Sequence, residues 1–171
     1  MTNSRGADSL KDKAKQLGEL ASPADLKDVG DAEVFFLMVP WSKVRVVSGS
    51  LPDLKGKVLV DVTNHFLDNM ELANLEGKAS SSIVKGYLPG TKLVKALNHY
   101  FEKWVDANPE VENGRRMAFV AGDDQDAKAL VSDLLSAFGF QPVDMGNLAT
   151  GSLPQQAGGP LAGLNIVSFP V

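Results

Sequence analysis

Hydrophobic positions along the chain follow two rhythms in turn. Leu10, Ala14, Leu17 and Leu20 recur every three to four residues, which predicts an amphipathic helix from about residue 8 to 20 with Asp8 or Ser9 as N-cap. Val34-Phe35-Phe36-Leu37-Met38-Val39 is a continuous apolar run halted by Pro40, as expected of a strand buried on both faces. Pro40-Trp41-Ser42 then opens a short helix with Val44 and Val47 turned inward, and Lys55-Gly56-Lys57 turns the chain into a strand over Val58–Val62. One of Ser80, Ser81 or Ser82 caps a helix facing inward with Ile83, Val84, Tyr87 and Leu88 until Pro89-Gly90. Strands follow at Lys92–Ala96 and Met117–Ala121, separated by a polar excursion, Tyr100 to Arg115, with turn signals at Asn108-Pro109 and Asn113-Gly114. The clearest helix is Asp124–Phe138, where Ala127, Leu130, Val131, Leu134, Leu135 and Phe138 trace one stripe before Gly139. Gln141–Asp144 reads as a last core strand. Residues 146–163, rich in glycine with Pro154 and Pro160, read as a loop, and Asn165–Phe169 as either a lid or an added strand.

Strands alternating with helices predict a doubly wound, parallel α/β sheet. Ligands of such sheets bind beyond the carboxyl ends of the strands. That selects Val39–Ser42, Thr63–Phe66, Leu97–His99, Gly122–Asp124 and Gly146-Asn147 as the segments where chemistry belongs.

Composition narrows the chemistry. The chain has 171 residues, 44% apolar and 22% charged, the profile of a globular protein able to bury a core. Seventeen basic against 21 acidic side chains leave a net charge of −4, which predicts no nucleic-acid partner. No cysteine is present, so disulfides, thiolate catalysis and cysteine-based zinc sites are excluded. No apolar run reaches membrane-spanning length and the first residues carry no leader pattern, so a cytoplasmic protein without a membrane partner is expected. His65 and His99 both follow strand ends, but with no third ligand no metal site is predicted.

Seven short motifs stand in a familiar order: Asn3-Ser4-Arg5, Val39-Pro40-Trp41-Ser42, Asp61-Val62-Thr63-Asn64, Val94-Lys95-Ala96-Leu97-Asn98, Ala121-Gly122-Asp123-Asp124, Asp144-Met145-Gly146 and Gly158-Gly159-Pro160-Leu161. Together they resemble the NADPH-dependent deazaflavin (coenzyme F-420) reductase-like family of dinucleotide-binding oxidoreductases, over nearly the whole chain. The resemblance implies a Rossmann-like, mainly parallel sheet in one NADP-binding domain, with residues 146–171 as a loop and C-terminal extension. It also implies a departure. Such domains open with a strand, a G-x-G-x-x-G loop and a helix that seat the pyrophosphate. Here Asn3-Ser4-Arg5 stands at the start, and Gly158-Gly159 and Gly163 follow no predicted strand. The expectation is therefore a sheet truncated at its N-terminus, with its first βα unit absent. The edge of strand 34–39 would then be bare, and a homodimer paired across it is expected.

The resemblance assigns residue roles. Ser4 and Arg5 would hold the 2′-phosphate of NADP, a task suited to a hydroxyl and a guanidinium fork, with Asn3 a cofactor-binding residue beside them; the alternative is a frayed tail. Val39, Pro40, Trp41 and Asn64 would line the nicotinamide ribose slot, unless Pro40 only ends a strand and Trp41 only fills the core. His65 stands where many relatives carry proline and would donate to substrate or ribose, or else is a surface histidine. Asn98 would face the nicotinamide, being otherwise a turn residue, and Ala96 is a further cofactor-binding residue. Gly158–Leu161 would flank a deazaflavin. Asp123-Asp124 resembles a metal pair, but Asp124 is better placed as a helix cap.

Two functions remain open. One is an NADP(H)-dependent oxidoreductase moving hydride between nicotinamide and a flat acceptor, either coenzyme F-420 or another flavin-like molecule, with no acid or base nominated. The other is a catalytically impaired Rossmann remnant acting as a dimeric interaction module or weak nucleotide binder.

Overall fold

The computed structural model describes residues 1–2 and 6–170, so the Asn3-Ser4-Arg5 assignment lies outside the described residues. The first predicted helix starts as a 3-10 turn, Ala7–Leu10, and becomes α-helical (α1) only over Lys11–Leu17. Gly18, at φ 90, ends it before Leu20. Of the predicted stripe only Ala14 is well buried; Leu20 is fully exposed. Neither expected cap forms: Asp8 pairs with Lys11 at 2.6 Å and the Ser9 hydroxyl donates to Gly6 O.

The remaining elements alternate much as the periodicity requires. They are β1 (Val34–Leu37), α2 (Trp41–Ser50), β2 (Val58–Asp61), α3 (Ser80–Tyr87) and β3 (Lys92–Ala96). The chain continues through α4 (Glu102–Val105), β4 (Glu110–Val111), β5 (Gly114–Gly122), α5 (Gln125–Ala137), β6 (Gln141–Asp144), α6 (Leu148–Gly151) and β7 (Val167–Ser168); α4 and β4 form in the segment expected to be a polar excursion, and α6 in the one expected to be a loop. No helix among the described residues is long and apolar enough to cross a membrane.

β1, β2 and β3 are parallel neighbours, with Val34, Val58 and Lys92 in register. Strand residues then alternate between two faces. Val58, Val60 and Val94 pack with Ala127, Val131 and Leu135 of α5, while Leu59 and Leu93 pack with Val44 of α2 and Val84 of α3. Helices on both faces make the sheet a doubly wound α/β layer.

Four expectations change. First, β5 runs antiparallel to β3, with Val94 opposite Gly122 and Ala96 opposite Val120. A parallel return needs a long crossover; residues 97–113 offer only the four-residue α4 and the short β4 before the chain doubles back. β6 then pairs parallel with β5, so the sheet stays mainly parallel along its core.

Second, β1 is not buried on both faces: Phe36 is 41% exposed, and Met38, just past the strand's end, is 64% exposed. Among the described residues β1 pairs only with β2. Its other edge opens on an apolar groove of about 800 Å³ lined by Met1, Thr2, Leu26, Val29 and Val46. On the far bank the Met1 amine donates to Ser22 O and Ala24 N donates to Met1 O.

Third, β6 is an edge strand with Gln141 and Asp144 exposed, a place where Pro142 is tolerated. Fourth, stripes are narrower than predicted. Tyr87, Leu130 and Phe138 are exposed, because each falls on the rim of its helix rather than over the sheet. The residues after Gly163 do add a strand, β7, antiparallel to β5 at Arg115 and Arg116.

Candidate functional site

The parallel register of β1, β2 and β3 carries three of the five nominated strand ends to one edge: Val39–Ser42, Thr63–Phe66 and Leu97–His99. The other two lie at the opposite edge. Because β5 opposes β3, Gly122 sits beside Val94 and Asp124 reaches Lys92, the first residue of β3. Asp124 there accepts from Ala127 N at 2.9 Å, as the N-cap of α5, and Asp123 accepts from Leu148 N and pairs with Lys85. These bonds hold both carboxyls below the usual carboxylate range. Among the described residues no group of three His, Asp or Glu converges on a possible metal position.

At the shared edge Pro40 stands as N-cap of α2, and Trp41 opens the helix. Pro40, Trp41, Asn64, Phe66, Leu67 and Asp68 line a slot of about 300 Å³. The Ser42 hydroxyl donates to Asp68 Oδ1 at 2.9 Å across its rim. The Trp41 and His65 rings meet edge to face with centroids 6.2 Å apart. His65 is buried, contrary to a surface histidine, and its Nδ1 has no partner. Burial first, and the Lys95 ammonium second, push its pKa below the ordinary imidazole value.

Asn64 and Asn98 are brought together by their own side chains. Asn64 Nδ2 donates to Asn98 O at 2.7 Å, and Asn98 Nδ2 donates to Asn64 Oδ1 and to Gln155 O. Ala157 N completes the set by donating to Asn64 Oδ1 at 3.1 Å. The Asn98 Oδ1 acceptor stays buried without a partner, as do both amide atoms of Gln155. Leu97 permits this arrangement by adopting φ 61, a left-handed conformation uncommon for leucine. It swings Asn98 out of the line of β3.

The remaining nominated residues fall elsewhere. Ala96 is wholly buried in the core on the α5 face of the sheet. His99 leaves the edge as well. It packs against Tyr100 and Phe119, contacts Met117 O at 3.2 Å, and is desolvated to a pKa of about 4. The glycines of Gly158–Leu161 answer to protein atoms. A Cβ on Gly158 would meet Leu72 at 2.8 Å, and one on Gly159 would meet Leu153 O at 2.4 Å.

Sequence reasoning passed over the base of the site. Asp61 and Lys95 are wholly buried and stand in register on β2 and β3, with Nζ 3.1 Å from Oδ2. Burial pulls the Lys95 pKa down, against the pull of Asp61. The signal was present: Asp61 closes the apolar run Val58-Leu59-Val60, and Lys95 interrupts the apolar run Leu93-Val94-Lys95-Ala96. Gln155 and Ala157 carried no such signal, since only tertiary folding brings residues 152–163 over β2 and β3.

The family model for coenzyme F420-dependent NADP oxidoreductases matches residues 1–65, which include Pro40, Trp41 and Asn64 of the slot wall. The chain is similar to metalloreductase STEAP3 of Rattus norvegicus, 32% identical over 123 residues; the match takes in 71% of this chain and 24% of that protein, so the chain spans about a quarter of that relative. A hypothetical protein from Sinorhizobium meliloti has a similar structure, with TM-score 0.91 and 34% identity over 98% of this chain and 82% of that one. A candidate F420-dependent NADP reductase from Arthrobacter sp. shares the fold at TM-score 0.60 and 23% identity, over 70% of this chain and 57% of that one. A pyrroline-5-carboxylate reductase from Coxiella burnetii shares it at TM-score 0.54 and 15% identity, over 84% of this chain and 47% of that one. The sheet is Rossmann-like, and the chain belongs to the family of coenzyme F420-dependent NADP oxidoreductases.

Proposed function

We propose that the chain acts as one NADP(H)-binding domain of an oxidoreductase, with residues 146–171 as its C-terminal extension. Its reaction is hydride transfer between the nicotinamide and a flat electron acceptor, a deazaflavin or another flavin-like molecule. The observation that carries this reading is the slot between Pro40-Trp41 and Asn64, at the carboxyl ends of parallel strands in a chain of this family.

The residues present fit the nicotinamide half of the cofactor. The slot has room for one ring and its ribose, and Asn98 Oδ1 is a buried acceptor without a partner near its inner wall. The diphosphate half fits less well. The sequence holds no G-x-G-x-x-G loop, and the large groove beside β1 is lined by apolar side chains apart from Thr2 and Lys43. Ser4 and Arg5 are proposed to take the 2′-phosphate, as their residue types suit.

The bound nicotinamide supplies the redox chemistry. This chain's part is placement. Trp41 offers a flat apolar wall, Pro40 leaves the strand end open to ligand, and His65 packs behind Trp41 as a neutral imidazole. Residues 155–157, tied to Asn64 and Asn98, close the back of the site against water. Two copies are proposed to pair across the bare edge of β1, covering Phe36 and Met38.

The exposed Phe36 and Met38 beside the bare edge of β1 favour a second reading, a dimeric interaction module or weak nucleotide binder. NADPH titration followed by cofactor fluorescence or calorimetry separates them. Micromolar binding that Trp41→Ala weakens supports the oxidoreductase; no binding up to millimolar concentration sinks it.

A further inference from the structure

The Asp61–Lys95 pair is not an isolated ion pair. Asp61 Oδ1 accepts from both the amide and the hydroxyl of Thr63, at 2.9 and 2.7 Å. Asp61 Oδ2 accepts from the Ser81 hydroxyl at 2.7 Å and from Lys95 Nζ at 3.1 Å. Lys95 Nζ also donates to the Thr63 carbonyl. Thr63 is therefore gripped at its amide, its hydroxyl and its carbonyl by one carboxylate and one ammonium. The next two residues are Asn64, a wall of the slot, and His65, whose ring packs on Trp41.

A buried ion pair is a weak source of stability, since desolvation offsets most of its attraction. Its effect on geometry is another matter. Apolar side chains of similar size would fill the same volume without fixing the peptide planes on either side of Thr63. Among the described residues, Lys95 is thus the one fully buried cation whose hydrogen bonds end on the turn that walls the slot.

We propose that Lys95 is a positioning residue of the slot, acting through Asp61 and the Thr63 backbone to set where Asn64 and His65 stand. That this turn meets a nicotinamide rests on the oxidoreductase reading; that Lys95 sets the turn does not. Two properties follow. The Asn64 side chain keeps its bonds to Asn98 and Ala157 only while Thr63 is held. The His65 ring feels the Lys95 ammonium as the charge bearing on it, while Trp41, the ring it meets from α2, is uncharged.

The test compares wild type with Lys95→Met and with the double variant Asp61→Asn/Lys95→Met, which leaves no unpaired charge in the core. NMR follows the His65 ring titration, assigned with His65→Gln, and hydrogen exchange of the Asn64 side-chain amide; NADPH binding is measured in parallel. In folded variants the His65 midpoint is expected to move up towards the ordinary imidazole value. Asn64 exchange is expected to accelerate, and NADPH affinity to fall about tenfold, the usual loss when a hydrogen-bonding group is misplaced. A double variant with lowered melting temperature but unchanged His65 titration, Asn64 exchange and NADPH affinity overturns the proposal. So does one that cannot fold, since the pair then serves folding itself. If wild type binds no NADPH, the oxidoreductase reading fails, and the two NMR readouts still decide the role of Lys95.

Discussion

His99 shows how a single residue couples this fold to pH. Its imidazole is 2% exposed, wedged against Tyr100 and Phe119, and its pKa falls to about 4 through burial. The unfolded chain protonates the ring near the usual value of 6.5, and the folded protein refuses the proton until the pH is far lower. The stability tied to a neutral His99 is thus complete above the unfolded pKa and drains away as pH falls from there to the folded one. That shift is worth about 3 kcal/mol at most. Urea midpoints measured between pH 7 and pH 4 are expected to drop for wild type and to drop less for His99→Gln. A parallel fall in both proteins would remove His99 as the cause. Residue types also made part of the site readable in advance. Trp41 and Asn64 line the slot as the strand ends implied, and Asp124 caps α5. The contacts of Asn98 were beyond reach, because they depend on the left-handed turn at Leu97, where glycine would have been the expected signal.

At the scale of elements, periodicity locates strands and helices but not their directions. Parallel β1, β2 and β3 share an edge because α2 and α3 are long enough to cross back. β5 reverses because the segment before it is not, and two nominated strand ends leave the site with it. The C-terminal strand has its own requirement. A Cβ at Gly114 would lie 2.7 Å from Ser168 O and 2.8 Å from the Phe169 ring, so β7 docks only against glycine. Gly114→Ala is expected to cost about 1–3 kcal/mol by overpacking and to loosen β7. Amide exchange reads this directly. The Met117 amide, which donates to Ile166 O, should lose protection, while the Arg116 amide, held by Pro109 O, should keep it. Equal protection in variant and wild type would show that β7 is not seated this way.

For the whole molecule, the question is what meets the bare edge of β1. Phe36 on the strand, Met38 just past its end and Val46 on α2 are 41%, 64% and 68% exposed around the groove, an unusual concentration for a solvated surface. A dimer formed across this edge is expected to sediment as one species at micromolar concentration. Phe36→Lys should convert it to monomer, because a charge on an edge strand opposes pairing. A wild-type monomer under those conditions would argue against the pairing. NADPH binding is independent of this result, since the slot lies at the strand ends and not along the edge.

The order of the main strands and helices, the two-faced layering of the sheet and the family were all determined by local information: hydrophobic spacing, turn residues and short motifs at strand ends. Such signals act within one element or its neighbours, so a single chain displays them. Strand direction at β5, the exposure of β1, the Asp61–Lys95 pin and the clasp of residues 155–157 on Asn64 and Asn98 were decided only in three dimensions. Each joins residues far apart in the chain, and their contact depends on how every intervening segment is routed.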